Sequence, residues 1–96
     1  VNQENKIALG PVTVVTLTYG DRKLLLRQVL EALRDLNNVE RVLVVDNGAT
    51  WDVKSDLVAI YQDWVEVVDM GKNTGSAKGF VAGMRRAIEV GAELIL

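Results

Sequence analysis

A chain of 96 residues, 49% of them hydrophobic, can build one modest core and hardly two. Its net charge of −2 supplies no basic field for a polyphosphate backbone, which disfavours nucleic acid as the main partner. Cysteine and histidine are both absent, which excludes disulfide frameworks, thiolate and imidazole metal sites, and triads built on an imidazole base.

Residues 1–11 form a polar lead without the basic start and apolar stretch of a secretory signal, and no apolar run approaches the roughly 20 residues that cross a bilayer. A soluble, cytoplasmic chain without a transmembrane segment is expected. Val12 to Thr18 is a β-branched run set between Pro11 and Tyr19-Gly20-Asp21, which predicts a first strand. A helix follows from Arg22 to Leu36, with Leu26, Val29, Leu30, Leu33 and Leu36 at intervals of three and four and Asp21 as its N-cap. Arg41 to Asn47 is an almost unbroken apolar run that ends in Asp-Asn-Gly, the pattern of an interior parallel strand. Asp52 to Gln62 reads as a second helix. Trp64 to Asp69 reads as a third strand, whose Glu66 marks it as an edge. From Ser76 to about Val90 a third helix is predicted to turn Ala77, Phe80, Val81, Met84 and Ile88 inward as one apolar stripe. Ala92 to Leu96 would be a fourth strand, and because the chain stops inside that apolar run it reads as truncated.

Strands and helices that alternate in this way predict an α/β three-layer sandwich with right-handed crossovers and a mostly parallel sheet in the order 3-2-1-4. Ligands of such sheets bind outside the carboxyl ends of the strands, near the switch point. That rule selects Thr18 to Asp21, Asp46 to Gly48 and Asp69 to Ser76 as the segments that carry a site.

Within them Asp46 ends a buried strand, where its carboxylate can accept hydrogen bonds from a base or a ribose; the plainer reading is an ordinary loop acid. Thr18 and Tyr19 offer a hydroxyl and a ring at the same rim, with Gly20 and Asn47 beside them. Gly71, Gly75, Gly79 and Gly83 stand four apart, matching neither the dinucleotide fingerprint nor the phosphate loop. Gly79 and Gly83 flank the apolar stripe, so a close approach of helix to sheet explains them without a ligand. Gly71 and Gly75 instead precede the helix, in a "GKNTGS" loop whose amides, together with the helix dipole, can receive an anion. Asn73 either braces that loop or is simple turn chemistry, and Lys78 either reaches a ligand or is solvated. Trp51 covers the site or covers the core. No closely spaced carboxylates stand at a strand end, so the sequence offers no catalytic residue and no metal ligands of its own.

Thr18-Tyr19 at the end of strand one, "VVDNGAT" at the end of strand two and "NTGSAKGFVAGM" at the start of the third helix together resemble the N-terminal part of a family 2 glycosyltransferase of the inverting, GT-A type. The texture around Phe80, Gly83 and Met84 is similar to that of rhamnosyl- and galactofuranosyltransferases. The resemblance runs from about Val12 to Leu96. It implies a Rossmann-like, truncated GT-A half-domain spanning residues 1–96 that binds a nucleotide-diphosphate sugar. By that likeness Thr18, Tyr19 and Gly20 line the nucleoside pocket, Asp46 hydrogen-bonds the base with Asn47 beside it, and Asn73, Gly75 and Lys78 lie near ribose and diphosphate. A divalent cation, Mg2+ or Mn2+, is expected only in the parent protein, through an acidic motif beyond Leu96. So are the base that activates a saccharide or lipid-linked acceptor and any seat at the cytoplasmic face of a membrane. Trp51 stands where relatives commonly carry Asp, with Asp52 one place later, and Val81 replaces a common Asn. The alternatives are a dinucleotide-dependent oxidoreductase, in which Asp46 would hold an adenosine ribose, and a non-enzymatic doubly wound interaction module.

Overall fold

The computed structural model describes residues 10–96. Strand β1 (Val12–Gly20) leads to helix α1 (Lys23–Arg34), β2 (Val39–Ala49), α2 (Val53–Tyr61), a single 3-10 turn (Gln62–Trp64), β3 (Val65–Asp69), α3 (Ser76–Glu89) and the short β4 (Leu94–Ile95). Every pairing is parallel and the strand order is β3-β2-β1-β4, a Rossmann-like sheet with the expected topology. Residues 1–9, most of the polar lead, lie outside the described part.

The apolar run of β2 is central because two layers cover it. Val42, Leu43, Val44 and Val45 are all fully buried. Alternation sends Val42 and Val44 to one face, where they join Leu26 and Leu30 of α1 and Val53, Leu57 and Tyr61 of α2 in one cluster. Tyr61 ties the two helices together. Its hydroxyl donates to Glu31 at 2.5 Å and accepts from the Arg27 Nε–H at 3.2 Å, while the Arg34 guanidinium lies 5.4 Å from its ring centre. Burial, and then the bond to Glu31, push the phenol above its ordinary pKa because both favour the protonated form. Asp52 caps α2 by accepting from the Ser55 amide at 3.2 Å.

The opposite face carries α3, and here the expected stripe is corrected. The sheet-facing positions of α3 are Gly79, Gly83 and Ala87, while Phe80 (42%), Met84 (49%) and Ile88 (66%) are exposed. A Cβ at Gly83 would stand 2.5 Å from Val15 Cγ1 and 2.8 Å from Val45 Cγ2, and one at Gly79 would stand 2.5 Å from Leu17 Cδ1. At Gly79 and Gly83 the helix axis therefore lies too close to β1 and β2 for any side chain to enter, Ala87 brings only a methyl group, and the large apolar residues turn outward. The N-cap of α1 also differs from expectation. β1 keeps pairing as far as Gly20, whose carbonyl accepts the Thr50 amide at 3.0 Å, so the helix starts one residue later. Arg22, with no side-chain cap bond, holds the N-cap position in place of Asp21. At the β3 edge Glu66 pairs with Arg86 of α3, which satisfies the charge that breaks that strand's apolar run.

Candidate functional site

Strand register places Thr18, Asp46 and Asp69 side by side on three neighbouring strands, at the carboxyl end of the sheet, so two carboxylates far apart in the sequence do stand at adjoining strand ends, contrary to expectation. β1 lies between β2 and β4, so this rim adjoins the switch point at which doubly wound sheets receive ligands. The loop from β3 to α3 folds back over it. Asp69 Oδ1 accepts the Gly71 amide at 2.8 Å to begin the loop, and Asn73 Oδ1 accepts the Gly75 amide at 2.9 Å to end it.

Asn47 is the anchor. Its side chain points to the α3 face and is buried. Its carboxamide oxygen accepts from the Thr74 amide and the Thr74 hydroxyl, each at 2.9 Å. The carboxamide nitrogen donates to the Gly75 carbonyl at 3.1 Å and to Asn73 Oδ1 at 3.4 Å. A carboxamide suits this work because it presents N–H donors and an acceptor oxygen side by side on one planar group. Gly48 completes the junction. It has φ +89°, and a Cβ there would stand 2.7 Å from the Asn73 backbone nitrogen, so the β2 end and the Asn73 loop touch backbone to backbone only because this residue is glycine.

Asp46 projects to the other face of the sheet. One carboxylate oxygen accepts the Ala49 amide at 2.9 Å, which fixes the turn that leaves β2. Its backbone carbonyl accepts the Met70 amide at 3.0 Å. Thr18, its partner in register, is 2% exposed, and its hydroxyl has no hydrogen-bond partner among the described residues. The Trp51 indole N–H shares that condition while the Lys23 ammonium lies 5.5 Å from the ring centre. Unpaired buried polar atoms are costly, since each forfeits its hydration, and these two belong to the segments at the carboxyl ends of β1 and β2.

Tyr19 is half exposed at the rim, with the Arg22 guanidinium stacked 4.1 Å from its ring centre. Gly20, at φ +56°, lets β1 turn into α1. Gly75, at φ +86°, is the N-cap of α3, and no side chain caps that helix. The first-turn amides of α3 therefore open toward the rim with the positive end of the helix dipole. Of the residues selected from sequence, Thr18, Tyr19, Gly20, Asp46, Asn47, Asn73 and Gly75 come together here. Lys78 stands apart, on the outer side of α3 against Met70 and Val81. Thr74 is the contributor that sequence reasoning did not single out, because nothing in "NTG" distinguishes its hydroxyl from that of any loop threonine. Among the described residues, no group of three or more acidic side chains is placed to hold a metal ion, and no helix is long and apolar enough to cross a membrane.

No protein-family model matches the chain, and no curated protein is significantly similar to it.

Proposed function

We propose that the chain is the nucleotide-diphosphate-sugar-binding part of a glycosyltransferase, whose parent moves the sugar to an acceptor hydroxyl with inversion. The observation that supports this most is the convergence of three loops on one rim: the ends of β1 and β2 and the Asn73 loop, fastened by Asn47. An acceptor carboxylate and a buried, unpaired hydroxyl lie on one side of that rim, suited to a base and its sugar. Free amides and a helix N-terminus lie on the other, suited to a diphosphate. In this reading Asp46 uses its second oxygen to accept an N–H of the base, Tyr19 offers its ring, and Asn73 and Gly75 hold the loop against the phosphates.

The divalent cation, the catalytic base and the saccharide or lipid-linked acceptor belong in this proposal to the parent. Among the described residues no group of three or more acidic side chains is placed to hold that cation. On this reading the fragment binds its donor without turning it over, since electrostatic stabilisation of the departing diphosphate is the largest part of such catalysis. The oxidoreductase alternative is disfavoured by the β1–α1 connection, where a dinucleotide pyrophosphate would need bare glycine backbone. Tyr19 and Arg22 stack across that position instead. Calorimetric titration with uridine diphosphate, thymidine diphosphate and NAD separates the readings. Saturable binding of a nucleoside diphosphate in preference to NAD supports the donor site, and preference for NAD refutes it.

A further inference from the structure

The close seating of α3 leaves its outer side with a pattern that the donor site does not use. At about 100° per residue, the direction away from Gly79, Gly83 and Ala87 falls between Val81 and Arg85; Ile88, Ala77 and Met84 follow Val81 on one flank, and Lys78 follows Arg85 on the other. Met70, Ala77, Val81 and Ala82 line a shallow groove of about 420 Å3 there, and Lys78 and Arg85 flank it. Neither cation has an ion-pair partner among the described residues. The neighbouring Arg86, by contrast, is taken up by Glu66 and Glu89. The two free cations lie about 10 Å apart along the helix, at 1.5 Å per residue.

We propose that this outer face of α3 docks on the surface of an anionic phospholipid bilayer. On this outer side, exposed Val81, Met84 and Ile88 on one flank and unpaired Lys78 and Arg85 on the other match a fluid, negatively charged surface. The complementarity is local. With a net charge of −2 the molecule as a whole is not drawn to such a surface, so the apolar row and the two cations must act together and binding falls as salt rises. The inference goes beyond the donor-binding reading and does not depend on it.

The test is co-sedimentation with vesicles of phosphatidylcholine alone and of phosphatidylcholine doped with phosphatidylserine. The chain is expected to sediment with the doped vesicles and not with the neutral ones. Arg85→Glu should weaken that binding at least about five-fold, Arg85→Lys should retain it, and Met84→Asp should abolish it. These positions are exposed, so the thermal midpoint of each variant should match that of the parent chain, and nucleotide titration should be unchanged. Failure of the parent chain to bind doped vesicles overturns the proposal, as does binding that both Arg85→Glu and Met84→Asp leave intact. Concentration-dependent self-association that Met84→Asp removes, without vesicle binding, would assign the face to a second copy of the chain and equally overturn it.

Discussion

The carboxamide oxygen of Asn47 takes both polar hydrogens of Thr74, so the end of one buried strand fixes the position of a loop that starts from another. Replacing Asn47, itself buried, by Ala would take the partner from the half-buried Thr74 amide and from the Gly75 carbonyl and leave a small cavity behind. The expected loss is on the order of 2–3 kcal/mol, read as a shift of the denaturant midpoint. Asn47→Asp keeps the acceptor but sets a second carboxylate oxygen against the Gly75 carbonyl, so it should destabilise too, and more at neutral pH than when protonated.

Gly83→Ala should destabilise although alanine is the better helix former. Helix propensity favours the change by about 1 kcal/mol. The new methyl would lie 2.5 Å from Val15 Cγ1 and 2.8 Å from Val45 Cγ2, and overpacking of this kind costs roughly 1–3 kcal/mol. A melting temperature that rises in Gly83→Ala would show that α3 does not sit this close to the sheet. Gly71→Ala meets no neighbouring atom, so its smaller loss should come from the φ of +79° alone.

These glycines show where the sequence was legible and where it was not. Val12 to Thr18 and Arg41 to Asn47 announce buried parallel strands through unbroken β-branched runs, and the alternation with helices fixes the order of the sheet. The inward face of α3 was misread because periodicity weighs side chains by hydrophobicity. Phe80, Met84 and Ile88 outweigh Gly79 and Gly83 in that reckoning; the close approach of helix to sheet at those two glycines was legible, but that it turns the large side chains outward belongs to the tertiary structure. Asp21 failed as a cap for a similar reason. The pairing of Gly20 with Thr50 prolongs β1, and no local rule reports a contact across 30 residues. At the rim, topology alone selected Asp46, Asn47 and Asn73. What stayed hidden was the division of labour, in which Asn47 organises the loop while Asp46 faces the opposite side.

Tyr61→Phe should cost about 1–3 kcal/mol, since Glu31 loses its buried donor and Arg27 its acceptor. The pH dependence follows from the upward shift of the phenol. The folded chain keeps this proton at a pH where the unfolded chain has released it, so the contribution is complete below the ordinary tyrosine pKa of about 10 and is lost as pH rises through the higher folded value. Alkaline denaturation series on the parent chain and Tyr61→Phe should therefore show a steeper decline above about pH 10 in the parent. Parallel curves would remove the assigned role of burial and Glu31.

The central claim concerns the rim, and Asp46→Asn addresses it with the least collateral change. An asparagine oxygen can still accept the Ala49 amide, so the turn after β2 and the melting temperature should stay close to those of the parent chain. The other carboxylate oxygen becomes an N–H2 that cannot accept from a base, and a lost charge-assisted hydrogen bond weakens binding by roughly ten-fold or more. Isothermal titration of both chains with uridine and thymidine diphosphates is the direct measurement. The account predicts saturable one-to-one binding by the parent chain and a loss of at least about ten-fold in Asp46→Asn at unchanged stability; no binding by a parent chain that is folded, or equal affinities for the two chains, would contradict it.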